Sequence, residues 1–105
     1  MTSGRQRLDK WLWYARFAKT RTLAARLVTD GYVRVNGQRT DNAAKAVGPG
    51  DVLTIAVAHR TAVVRVLSAG ERRGPAPEAR TLYEDLGTEY ETRDDGALVT
   101  RAGEA

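Results

Sequence analysis

"RLDKWLWYARFAKTRTLAARLVTDGYVRVNGQ", residues 7–38, runs through three patterns in succession, and their order decides the fold. Trp11, Leu12 and Ala15 follow Leu8 at three- and four-residue spacing, so a helix over about Leu8–Phe17 gathers them into one apolar stripe. Lys10, Trp13, Tyr14 and Phe17 fall off that stripe and form a basic, aromatic face. Thr20 then offers its hydroxyl to the free N–H groups of a following turn, which predicts the N-cap of a second helix. Leu23, Ala24, Leu27 and Val28 form its apolar arc, and Gly31 supplies the left-handed position that ends it. Only a few residues separate the helices, so they are expected to pack as a pair. After Gly31 the period drops to two. Val33 and Val35 alternate with outward Tyr32 and Arg34, and Asn36-Gly37 tolerates the positive φ angles of a two-residue hairpin.

Further along, "VGPGD" reads as a turn, "VLTIAV" as a third strand, "AHR" as a turn and "TAVVRVL" as a fourth strand. These pieces predict an α+β fold, a two-helix pair packed on a small antiparallel sheet, over residues 5–67. "SAGERRGPAP", residues 68–77, reads as a linker. "EARTLYEDL" places Leu82 and Leu86 at i, i+4 beside Tyr83, which predicts a C-terminal tail helix over 78–91. Residues 92–105 are polar and acidic, and are expected to be disordered.

The chain of 105 residues is sized for one core. It has no cysteine, so neither a disulfide nor a thiolate metal site is possible, and the single His59 cannot build a zinc site alone. The start "MTSGRQRLDK" lacks the apolar core of an export signal and no run is long enough for a membrane span, so a cytoplasmic protein is expected.

Charge is unevenly spread. Residues 1–65 carry twelve Lys and Arg against four acids, whereas residues 66–105 carry five against nine. The first two thirds suit a polyanion, and the acidic last third cannot share that role.

Catalytic patterns are missing. Gly48 and Gly50 flank a proline in a turn and do not form a phosphate loop ahead of a helix. His59 reads as a solvated turn residue, and Glu84, Asp85, Glu89 and Glu91 as a solvated face. A non-enzyme without cofactor, metal or small-molecule substrate is expected.

The cations are the better candidates. Lys19 and Arg21 bracket Thr20 at the start of the second helix, where free N–H groups and the helix dipole already favour an anion. Arg7 and Lys10 come from the first helix or its approach, and Arg34 projects from the outward strand face. Between Arg5 and Arg21 stand six Lys and Arg and one acid, Asp9. Charge alone does not separate RNA, DNA and an anionic membrane; the membrane is disfavoured because the first apolar stripe is needed for the core. Trp11 belongs to that core. Trp13 and Phe17 either stack on unpaired bases or lie under the acidic tail through Leu82, Tyr83 and Leu86, and the second reading is favoured.

Arg7-Leu8-Asp9, Thr20-Arg21, Gly31, Val33-Arg34-Val35-Asn36-Gly37 and the later "VGPGDVLTI" together resemble the RNA-binding domain of small-subunit ribosomal protein four, the S-four domain. The resemblance implies the α-L arrangement of helix pair and hairpin. Carried over by position, it implies an RNA face of Arg7, Lys10, Lys19, Thr20, Arg21, Arg26, Arg34, Asn36, Gln38, Arg39 and Lys45. Asn36 also reads as a turn residue, and Asp9 as a local tie within the helix pair. "LDKWLWYARFAKTR" and "LYEDL" are similar to the small ribosome-associated heat-shock proteins within the family. That similarity implies binding to structured ribosomal RNA of the large subunit, with a role at stalled ribosomes after heat stress, and a monomer is expected. The acidic C-terminus departs from the basic tail expected there. The alternatives are an RNA-targeting module for a separate RNA-modifying enzyme, and an adaptor for another protein.

Overall fold

The computed structural model describes residues 4–57, 60–86, 90–92 and 98–100. A short strand β1 (Gln6–Arg7) leads into helix α1 (Leu8–Tyr14) and then α2 (Arg21–Thr29). The hairpin β2 (Val33–Val35) and β3 (Gln38–Arg39) follows, then β4 (Ala46–Val47), β5 (Val52–Val57) and β6 (Arg60–Val66). The chain continues through α3 (Ala76–Ala79), a 3-10 turn (Arg80–Leu82), β7 (Tyr83–Asp85), β8 (Tyr90–Thr92) and β9 (Leu98–Thr100). The main sheet has the order β3-β2-β5-β6-β8-β9, with β7 also on β6, and β1 with β4 makes a separate antiparallel ribbon.

Period-two alternation sets which sheet face is covered. Val33 pairs with Ile55 and Val35 with Leu53, and Leu53 pairs with Val64. All five are buried on one side, while Arg34 between the valines is exposed. Leu8, Trp11 and Leu12 of α1, with Ala24 and Val28 of α2, pack onto that side with no accessible surface left. Each fully buried aliphatic side chain of this kind stabilises the fold by about 1.5–3 kcal/mol.

Both helices end in the same motif. In α2, Gly31 at φ 88° allows Gly31 N to donate to Val28 O at 3.0 Å and Tyr32 N to Leu27 O at 2.9 Å. In α1 the left-handed residue is Arg16 at φ 67°, with Arg16 N donating to Trp13 O at 3.1 Å and Phe17 N to Leu12 O at 2.9 Å. The helix therefore stops at Tyr14, short of the expected Phe17, and the reversal folds Phe17 back towards the core. No glycine marked that stop. The Arg16 side chain donates from Nε to Gly74 O at 2.8 Å, a bond that helps to hold the conformation.

The expected tail helix over 78–91 is corrected. Helical structure stops at Leu82, and Tyr83–Asp85 forms β7 on β6, with Val66 opposite Tyr83 and Val64 opposite Asp85. The far edge of β6 offers unpaired backbone groups, and satisfying them outweighs a weak local helical pattern. Residues 68–77 are likewise not a free linker. Trp11 Nε1 donates to Ser68 O at 2.8 Å, Arg73 Nε donates to Trp13 O at 3.0 Å, and Arg72 grips Glu78 with two hydrogen bonds of 3.0 and 2.7 Å. Arg16 and Arg73 thereby bring positive charge to the C-terminal end of α1, where the helix dipole favours it. In the stretch expected to be disordered, Thr92 and Leu98–Thr100 lie in β8 and β9; residues 93–97, 101–105 and His59 lie outside the described residues.

The two unsettled aromatic rings of the first segment are covered by different groups. Phe17 packs against Tyr83 at 5.1 Å between centroids and against Trp11 at 6.2 Å, while the Arg73 guanidinium lies over Trp13 at 5.9 Å. Tyr83 is the expected cover for Phe17, delivered by a strand. Trp13 is covered by the segment read as a linker.

Candidate nucleic-acid interface

The site is organised around a buried carboxylate. Asp9, 3% exposed, lies in the first turn of α1 and accepts from Arg7 Nε and Nη2, each at 3.1 Å, while Arg21 Nε lies 4.0 Å away. Asp9 therefore joins the approach to α1 with the start of α2, the local role read from sequence. The Arg7 guanidinium stays about half exposed, and its hydrogen bonds to Asp9, then the carboxylate's charge, raise its pKa above the ordinary arginine value.

At the start of α2, Thr20 caps as expected: its Oγ1 accepts from Leu23 N at 3.1 Å. Lys19 and Arg21 flank it, both exposed. Leu8 N and Asp9 N donate to Lys45 O and Ala43 O at 2.9 and 3.0 Å, so the loop before β4 is laid against the start of α1. That loop carries Lys45 to the hairpin, where Asn36, Gln38, Arg39 and Lys45 line one cleft of about 190 Å³. Four candidates from the hairpin and the loop that follows it thus meet in one place.

Arg34 and Arg39 stand directly opposite each other across β2 and β3. Like charges in that register repel, and an anion between them would relieve the repulsion. The Arg39 guanidinium also occupies the space where a side chain at Gly31 would project, so it sits by the C-terminal end of α2, where a cation is favoured. Among the described residues, Lys19, Arg26, Arg34 and Lys45 have no side-chain hydrogen bond or ion pair.

Other candidates are already engaged. Asn36 at φ 54° forms the hairpin corner, its Nδ2 donating to Asp51 Oδ1 at 3.1 Å and its Oδ1 accepting from Val52 N at 2.9 Å. Its amide is committed to tying the hairpin to the strand beyond, as the turn reading anticipated. Lys10 lies over the Tyr14 ring with Nζ 5.8 Å from the centroid, away from the Asp9 cluster's hydrogen bonds.

Sequence reasoning missed a groove beside these cations. Leu23, expected in the apolar arc of α2, is exposed and joins Phe17, Leu27, Tyr32, Ala56 and Val57 around a depression of about 810 Å³ with Lys19, Arg26 and Asp30 on its rim. The outward reading of Tyr32 was the one available signal. Among the described residues there is no group of three or more His, Asp or Glu side chains able to hold a metal ion, and no helix long and apolar enough to cross a membrane.

Residues 6–53 match the model of the S4 domain. Heat shock protein 15 of Escherichia coli strain K12 is 42% identical over 95 residues, covering 90% of this chain and 71% of that protein. This chain belongs to the heat shock protein 15 family. It carries an RNA-binding S4 domain, and the matched span takes in both helices, the hairpin and all eleven candidate positions. The small ribosomal subunit protein uS4 of Xanthobacter autotrophicus is 38% identical over 72 residues, covering 67% of this chain and 35% of that one. A structure of heat shock protein 15 from Vibrio cholerae superposes with a TM-score of 0.74 at 41% identity, over 78% of this chain and 82% of that one. That relative was solved as a trimer, which removes the support for the expected monomer.

Proposed function

We propose that this protein is a non-catalytic, cytoplasmic binder of structured ribosomal RNA, that its target is the large subunit, and that it acts on stalled ribosomes after heat stress. One observation carries the reading: Arg7 and Arg21 are held at Asp9, Arg39 and Lys45 share the hairpin cleft with Arg34 opposite Arg39, and Arg34 and Lys45 have no side-chain partner among the described residues. Arg7 and Arg21 are held at the helix starts, Lys45 is brought in by its loop, and Arg34 and Arg39 project from the hairpin. Guanidinium forks suit phosphate oxygens, and helices of RNA are recognised through backbone shape more than through base edges. The similarity to uS4 supports ribosomal RNA as the class of target.

The test is co-sedimentation with purified large subunits, small subunits and whole ribosomes. Wild type is expected to pellet with the large subunit, and a Lys19→Glu, Arg21→Glu double variant to stay in the supernatant at moderate salt. Equal binding by that variant would remove the site assignment. Preference for the small subunit would remove the choice of target.

A further inference from the structure

The groove beside α2 is chemically unlike the cationic corner. Leu23 and Tyr32, 45% and 53% exposed, are two large apolar side chains that folding has left in solvent, and both face it. Lys19 and Arg26 on its rim have no partner among the described residues. Asp30 stands on the same rim, so a bare phosphate is poorly suited to the site.

The groove also continues the cationic strip. Tyr32 lies two residues before Arg34 on the outward side of the strand, and Ala56 N donates to Tyr32 O while Thr54 pairs with Arg34. An RNA strand passing Arg39 and Arg34 would therefore be led to the Tyr32 ring.

We propose that this groove takes one unstacked nucleotide of the bound RNA, with its base against Tyr32 and Leu23 and its phosphate near Lys19 and Arg26. The inference rests on the RNA-binding reading and adds a subsite for an unpaired base. A ring in an apolar recess with cations at the rim offers the stacking and the charge that single-stranded nucleic acid needs. The volume falls in the range of small-ligand sites.

Fluorescence anisotropy with a dye-labelled single-stranded RNA of about a dozen nucleotides, and with the same strand annealed into a duplex, tests the proposal. Tyr32→Ala is expected to weaken single-strand binding about tenfold, with an unchanged salt slope, because stacking and not charge is lost. Tyr32→Phe is expected to stay within about twofold of wild type, and both variants to bind the duplex normally. Tyr32 is exposed, so thermal melts are expected to show these variants folded. Unchanged single-strand affinity in both Tyr32→Ala and Leu23→Ala would overturn the proposal. If those variants instead changed sedimentation behaviour, the groove would belong to a second copy of the chain. If wild type failed to bind the single strand while remaining folded, the subsite would be overturned, and the RNA-binding reading itself would fail only if wild type also did not co-sediment with ribosomal subunits.

Discussion

Arg7 holds Asp9 with two parallel hydrogen bonds of 3.1 Å, from Nε to Oδ1 and from Nη2 to Oδ2, and the carboxylate they grip is almost wholly buried. The pair is a structural tie. It fixes the entry to α1 and keeps two arginines, Arg7 and Arg21, facing one corner without mutual repulsion. Asp9→Ala removes the counter-charge and both bonds, and is expected to destabilise the domain by about 2 kcal/mol. A drop in Tm of roughly 10 °C in a calorimetric scan would show it.

Gly31 is required twice over. Its φ of 88° is unfavourable for any residue with a Cβ, and a Cβ there would run into the guanidinium of Arg39. Gly31→Ala is expected to cost about 1–2 kcal/mol from the backbone alone, seen as a lower urea midpoint with an unchanged slope. Arg39→Ala in the same background is expected to recover only the part due to the clash.

Glu78 links stability to pH. Its hydrogen bonds from Arg72, the largest cause, hold its pKa below the ordinary value of 4.5, opposed by desolvation and helped to a lesser extent by the charge of Arg72. A depressed carboxyl pKa stabilises the fold above the unfolded value and loses that contribution as pH falls through the folded value. Thermal melts are expected to show Glu78→Gln less stable than wild type near neutral pH. The difference should close below pH 4.5.

RNA affinity should separate free cations from engaged ones. Lys19, Arg34 and Lys45 changed singly to Gln are each expected to reduce the slope of log affinity against log salt by about one. Asn36→Ala is expected instead to lower stability through the lost Asp51 and Val52 bonds, and to leave that slope alone. A titration of each variant across several salt concentrations distinguishes the two.

The most legible parts of the chain were those governed by near neighbours. Thr20 caps α2, Gly31 ends it, Asn36-Gly37 turns the hairpin, and Val33 and Val35 face inward, all as their types and spacing predict. The stop of α1 was hidden because Arg16 adopts a left-handed conformation that its side-chain chemistry does not announce, and its bond to Gly74 spans 58 residues. Leu23 fits an apolar arc by angle, yet it is left exposed among the described residues, so only the fold reveals that it faces a groove. Among the site candidates, sequence placed the charges and marked Asn36 as a turn residue, but could not show its bonds to Asp51 and Val52, since those partners lie beyond the hairpin.

By itself, the sequence determined an α+β domain with two short helices, a tight hairpin and a positive N-terminal two thirds, because capping, turn geometry and alternation act over a few residues. Only the tertiary structure decided that Tyr83–Asp85 is a strand, that residues 68–77 lock onto the end of α1, and that Asn36, Gln38, Arg39 and Lys45 share one cleft. Those outcomes depend on an unpaired strand edge, a buried indole N–H and a loop carbonyl finding partners far away in the chain, and no local pattern specifies where such partners lie.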